Sequence, residues 1–222
     1  MAEHVHKVHI DRKELKAPDP FFETAGKLRT AFAENRTTVI VSVAVLVMVL
    51  GGSLAANRYR THSQEQAASS FFRAADAMRN NSFETAKAGF GDVAKNGPDP
   101  YSELAILYGA DLAVREHRWD DAIELYKGFA GAAETDYLRQ IGWKGHGYAL
   151  EMAGDSATAA KSYHKAADIK GPYTEEALRG WLRAAKRVGD EKGAQEAASR
   201  LVKEFPNSEE AEALAERLAS NE

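Results

Sequence analysis

The chain has 222 residues and a net charge of −4, with 29 lysines and arginines against 33 aspartates and glutamates. Binding to a phosphate backbone needs a basic surface, so this balance excludes nucleic acid as the main partner. Cysteine is absent, which excludes structural disulfides, thiolate metal sites and cysteine nucleophiles.

Residues 1–36 hold seven lysines and arginines and six aspartates and glutamates, so this stretch is nearly neutral, and it is too short to be a domain. His4, His6 and His9 are interleaved with Val5, Val8 and Ile10. Such alternation suits a strand lent to the edge of a partner's sheet, or a tail with no fixed structure. It does not suit a metal site, because no acidic or cysteine cluster is at hand to complete a coordination shell. Asp19 and Pro20 then read as a cap and a helix-starting proline. Behind them Phe21, Phe22, Ala25, Leu28 and Phe32 share one helical face, with Glu23, Lys27, Arg29 and Glu34 around the rest. The pattern predicts an amphipathic helix lying on a membrane surface, with a simple extension of the spanning helix into water as the alternative.

From Thr37 to Asn57 the chain carries no charge and is mostly apolar. As a helix this run spans about 30 Å, the thickness of a bilayer's hydrocarbon core. Ser53-Leu54-Ala55 resembles a small-x-small cleavage site, so a removed leader is the rival reading; the long segment before the run and the run's own length favour a retained anchor. Lys27, Arg29 and Arg36 in front, against Arg58 and Arg60 behind, bias the short tail toward the cytoplasm. Gly51 with Ala55 and Gly52 with Ala56 have the spacing that lets helices approach closely in lipid. With no charge in the run, transport or proton relay by this segment is not expected.

Beyond Asn57, Ala86, Ala122, Ala159 and Ala194 recur at intervals of thirty-six, thirty-seven and thirty-five residues. Each lies in a helix, tight turn, helix pattern, with turns expected at Asn80 to Phe83, at His117-Arg118, at Gly154-Asp155 and at Gly189-Asp190. A period of this length signals stacked helical hairpins. An aromatic follows the alanine by four positions in Phe90, Tyr126 and Tyr163, while Trp143, Gly147 and Leu150 form a front half and Pro98 and Pro206 close two units. These residues resemble the tetratricopeptide repeat, W-x2-L-G-x2-Y, then A-x3-F, then P. The departures are His146 in place of leucine, Ala198 in place of the last aromatic, and a second unit without the glycine or the proline. After the fourth hairpin, Ala211, Leu214, Ala215 and Leu218 share one face of an expected capping helix.

The expected fold is therefore all-α, a single transmembrane helix followed by a tetratricopeptide-repeat solenoid of four hairpins. Its boundaries are 1–36 for the tail with its juxtamembrane helix, 37–57 for the anchor, 58–66 for a link, 67–208 for four repeats and 209–222 for the cap. Phe32-Ala33-Glu34-Asn35 before the anchor and Arg58-Tyr59 after it, together with a repeat domain of this size, resemble the YfgM-like family of ancillary Sec translocon subunits. That resemblance implies a single-pass protein of the bacterial inner membrane with its repeats in the periplasm. It also implies a role in handing exported chains to periplasmic chaperones, with translocon subunits, exported chains or those chaperones as partners. The alternative is a scaffold subunit of another envelope machine, for motility, secretion or division.

No catalytic role, metal or cofactor is expected. Gly142 to Gly147 reads G-W-K-G-H-G, yet it lacks the Gly-Lys-Ser/Thr ending of a phosphate loop and falls inside a helix pattern, where close packing explains its glycines. His117, His146 and His164 have no metal spacing, and no nucleophile elbow is present. The expected site is instead a groove along the first helices of the repeats. Stacking as in the family places Phe71, Met78, Leu104, Leu107, Val114 and Tyr148 on its concave side, with Arg179, Arg183, Lys186 and Arg187 at its far end. Such a trough suits an extended or helical peptide with an acidic group. The competing reading makes the leucines inter-repeat core and the basic residues a solvated face, partly neutralised by Glu175, Glu176 and Asp190. The carboxylate clamp of heat-shock co-chaperones is not expected, because Phe71 and Ala75 stand where it needs polar donors.

Overall fold

A computed structural model describes Gly26 and residues 35–208. The histidine-bearing tail, the expected amphipathic helix apart from Gly26, and the expected capping helix lie outside these residues. Among the described residues the regular structure is helical throughout: α1 (Arg36–Arg79), α2 (Phe83–Asn96), α3 (Tyr101–Arg115), α4 (Trp119–Ala132), α5 (Asp136–Met152), α6 (Ser156–Asp168), α7 (Thr174–Val188) and α8 (Glu191–Glu204). The chain divides into two units, Met1–Tyr59 and Arg60–Glu222, and α1 contributes to both.

In the first unit the uncharged run is helical, so its backbone groups are bonded within the helix. Its side chains are bare: Ile40 is 66% exposed, Met48 70% and Leu54 71%. The most apolar stretch has a mean hydropathy of 2.6 and none of it is buried. Ser53 returns its hydroxyl to the Leu50 carbonyl at 2.8 Å, which keeps that donor inside the helix. This is a helix long and apolar enough to cross a membrane. The segment 58–66, read from sequence as a link, is helical along its whole length.

The second unit is a stack of four hairpins, α1/α2, α3/α4, α5/α6 and α7/α8, in which consecutive helices pack on one another from α2 onward and α5 also meets α7. The four hairpin turns are built alike. Each places one residue in the left-handed region, namely Asn81 (φ 58), His117 (φ 57), Gly154 (φ 93) and Gly189 (φ 73). In each, the next amide reaches back five residues: Ser82 to Ala77, Arg118 to Ala113, Asp155 to Leu150 and Asp190 to Ala185. This bond satisfies a carbonyl that the helix end would leave without a partner. Where the turn ends in aspartate, the side chain also caps the second helix, Asp155 accepting from the Thr158 amide and Asp190 from the Gly193 amide, both at 3.0 Å.

Alanine sets the spacing within the stack. Ala86, Ala122 and Ala159 are wholly buried and Ala194 is 9% exposed. Glycines carry the closest approaches: a Cβ on Gly142 would lie 2.7 Å from the Ala130 Cβ and 2.8 Å from its Cα, and one on Gly89 would lie 2.7 Å from the Ala74 Cβ. Larger hydrophobic side chains fill what remains, with Phe90 and Leu112 in the first part and Leu178, Trp181 and Leu201 in the last.

Gln140 and His146 are among the polar residues built into this core. Gln140 is fully buried; its Nε2 donates to the carbonyls of Ala166 (3.1 Å) and Ile169 (2.7 Å), and its Oε1 accepts from the Tyr173 amide at 3.2 Å. One side chain on α5 thereby satisfies the backbone of the loop joining α6 to α7. His146, at the position where the repeat outline has leucine, is 5% exposed and shares a 2.9 Å hydrogen bond with the Ser162 hydroxyl. Burial lowers its pKa, so the ring is held neutral.

Two glycine substitutions test the close-approach account. Gly142→Ala must push α5 off the backbone of α4 and is expected to cost about 1–3 kcal/mol, several degrees of Tm. Gly128→Ala on α4 meets nothing within 4 Å and is expected to stabilise by about 0.5–1 kcal/mol through helix propensity. Thermal melting of both variants checks the opposite signs.

Candidate functional site

The concave side of the stack holds a cavity of about 1100 Å³ running from Phe71 on α1 to Arg183 on α7. Its first end is aromatic and apolar. Phe71 stands edge-on to Tyr108, with ring centroids 5.0 Å apart, and Phe72, 58% exposed, stands edge-on to Phe71 at 5.6 Å. These are the offset geometries that ring quadrupoles favour.

The middle of the groove owes its shape to glycine. Tyr126 comes from α4, a second helix of a hairpin, and reaches the groove because Gly145 on α5 has no side chain: a Cβ there would collide with the Tyr126 ring. Tyr163 does the same from α6, where a Cβ on Gly147 would lie 2.9 Å from its ring and one on Gly180 2.6 Å. Each hydroxyl then emerges against an acid. Tyr126 donates to Asp111, and Tyr163 donates to Glu151 at 3.1 Å. Burial and the neighbouring carboxylate push both phenol pKa values up, so both hydroxyls keep their protons.

At the far end Glu151, whose side chain is 1% exposed, accepts from Arg183 Nε and Nη2, both at 2.8 Å, and forms an ion pair with Arg187 at 3.3 Å. The Arg183 fork outweighs the cost of burial and holds the Glu151 pKa below the usual glutamate value. Arg179 pairs with Glu175 at 2.7 Å, and Lys144 with Glu176 at 2.9 Å while sitting 4.2 Å from the centre of the Tyr173 ring.

Seven residues expected from sequence line this cavity: Phe71, Met78, Leu107, Val114, Tyr148, Arg179 and Arg183. Three do not. Leu104 packs into the core cluster of Phe71 and Phe90, Lys186 is exposed outside the lining, and Arg187 is drawn to Glu151. Leu107 and Val114 serve two roles, packing against the Ala110–Tyr126 core while lining the groove. The basic end has a partner within the fold. Arg183 and Arg187, 52% and 53% exposed, converge on one buried glutamate that the sequence reading did not single out, which offsets one of their two charges. The tyrosines Tyr108, Tyr126, Tyr163 and Tyr173, with Asp111 and Lys144, were also missed as lining; the signal for Tyr126 and Tyr163 was the pair of glycines in the G-W-K-G-H-G run, three and five residues after Gly142.

A family model described as a tetratricopeptide repeat-like domain matches residues 29–143. No curated protein matches the chain in sequence. Among solved structures, a tetratricopeptide repeat protein from Parabacteroides merdae is similar with a TM-score of 0.56 at 14% identity, covering 72% of this chain and 61% of its own. The MamA protein is similar with a TM-score of 0.55 at 17% identity, over 68% of this chain and 82% of its own. PilW, described as a widely conserved type IV pilus biogenesis factor, gives 0.53 at 16% identity over 88% and 90%. At these identities the likeness is one of fold.

The Glu151 cluster makes a prediction with a defined pH window. Its folded-state pKa is lowered, so its stabilisation is present above the ordinary glutamate value of 4.5 and is lost as the pH falls through the lowered one. Glu151→Gln is expected to destabilise by about 1–3 kcal/mol at neutral pH. The gap from the unaltered chain should hold between pH 7 and 5.5 and shrink below 4.5, as read from denaturant melts at each pH.

Proposed function

We propose a place of work for a chain that belongs to the tetratricopeptide repeat-like domain family and is, like it, a protein-interaction scaffold: a bacterial inner membrane, with the repeats on the periplasmic side, beside the Sec translocon. There the groove would receive peptide segments of exported chains and pass them toward periplasmic chaperones. The observation that carries this reading lies in one helix, since α1 bears the uncharged run and, further along, Phe71, Phe72 and Met78 of the groove. An anchor of this kind keeps a weakly binding groove at high effective concentration beside neighbouring membrane complexes. The excess of Lys27, Arg29 and Arg36 over Arg58 and Arg60 supports the orientation, and the short matches at 32–35 and 58–59 support the translocon. The groove is assigned binding and no catalysis, because its acids are engaged by tyrosine hydroxyls, guanidinium groups and an ammonium. A second reading, a subunit of another envelope machine, draws on the printed description of PilW as a pilus biogenesis factor.

A reporter fused after Glu222 is expected to be active only when exported; activity in the cytoplasm would reverse the orientation and remove the export role. Photo-reactive residues at Leu46 and at Leu107 test the two contacts separately. The first is expected to capture a translocon subunit and the second an exported chain in transit. Failure of both, with capture of a different envelope complex, would put the second reading in place of the first.

A further inference from the structure

Two carboxylates in and beside the groove, Glu151 and Glu176, are each held by a cation that also lies near a tyrosine ring. Glu151 takes the Tyr163 hydroxyl and the Arg183 fork, and that guanidinium lies 5.9 Å from the centre of the Tyr163 ring. Glu176 takes the Lys144 ammonium at 2.9 Å, and the same ammonium lies 4.2 Å from the centre of the Tyr173 ring. Asp111 has the aromatic alone. It accepts the Tyr126 hydroxyl, and among the described residues no lysine, arginine or histidine bonds to it. Arg115, one turn further along α3, and Lys144, on α5, act on it only through their fields, and Lys144 is already held by Glu176. Burial raises the Asp111 pKa, as expected of a desolvated carboxylate without a bonded cation.

The surroundings of Asp111 suit the group it lacks. Tyr108 and Tyr148 line the same cavity and are 36% and 41% exposed, which leaves ring surface free beside the carboxylate. A lysine or arginine side chain laid there would cover those rings with its apolar stem and bring its charge to the carboxylate and the ring faces together. Among the other cations of the lining, Arg115 is exposed and forms no ion pair among the described residues, so it is the charge that an incoming side chain meets beside Asp111; the rest are engaged. Arg79 pairs with Asp76, Arg179 with Glu175 and Arg183 with Glu151.

We propose that the Asp111–Tyr126 pair is the specificity site of the groove and takes a lysine or arginine side chain from a bound peptide whose neighbouring residues are apolar. This reverses the sign of the charge expected from sequence, and it rests on the reading of the groove as a peptide-binding surface.

The test uses the full chain in mild detergent and short fluorescent peptides of leucine, phenylalanine, serine and alanine, with one central position occupied by lysine, norleucine or glutamate. The lysine peptide is expected to bind about tenfold more tightly than the norleucine peptide, with glutamate weakest. Asp111→Asn, whose amide oxygen still accepts the Tyr126 hydroxyl, is expected to erase the lysine preference and leave the norleucine affinity in place. Equal binding of lysine and norleucine by the unaltered chain, or a preference that survives Asp111→Asn, would overturn the assignment while leaving the groove reading intact. Binding of none of the three would overturn both.

Discussion

Everything on the concave side depends on how closely neighbouring helices approach. Alanine and glycine at the contacts bring backbones together, and two tyrosines of the second helices, Tyr126 and Tyr163, are carried past them to the groove, whereas Phe90 and Phe129 stay in the core. Tyr126 lies against Gly145, and Tyr163 between Gly147 and Gly180. A leucine at any of these glycines would fill the passage through which the tyrosine reaches the other side. The glycine-rich run is thus architectural, and the groove chemistry is its consequence.

Charge in the groove follows from the same passage. A phenol hydroxyl delivered into a partly desolvated trough needs an acceptor, and Asp111 and Glu151 supply it. A buried carboxylate in turn needs a cation or it destabilises the fold. Glu151 has two, recruited from the first helix of the next hairpin. The arginines at the far end therefore form a structural clasp between α5 and α7 with one positive charge in excess, and among the described residues Asp111 is the groove carboxylate with no bonded cation.

The repeat pattern was legible because it rests on periodic small residues, and the spacing of Ala86, Ala122, Ala159 and Ala194 is repeated by the left-handed turn residues Asn81, His117, Gly154 and Gly189. Two of those turns lack glycine, so composition alone would have shown half of them. The groove's aliphatic lining could be read from helical faces. Its polar lining could not, because Glu151 and Arg183 stand 32 residues apart and Tyr126 and Asp111 15, separations that no helical period marks. Lys186 and Arg187 share a stretch of helix with Arg183, which made four cations look like one face, whereas the buried glutamate that divides them sits on another helix.

The central claim is that Tyr108 and Tyr148, the part-exposed tyrosines on first helices of the groove, face a partner. It is tested most directly by Tyr108→Ala with Tyr148→Ala in the full chain, with a photo-reactive residue at Ile141 inside the groove. The account predicts that the double variant melts within about 5 °C of the unaltered chain, as part-exposed side chains that touch the core along one edge should, while adducts between Ile141 and the bound partner are lost. Undiminished adducts, or a fall in melting of about 10 °C marking these rings as core, would contradict it.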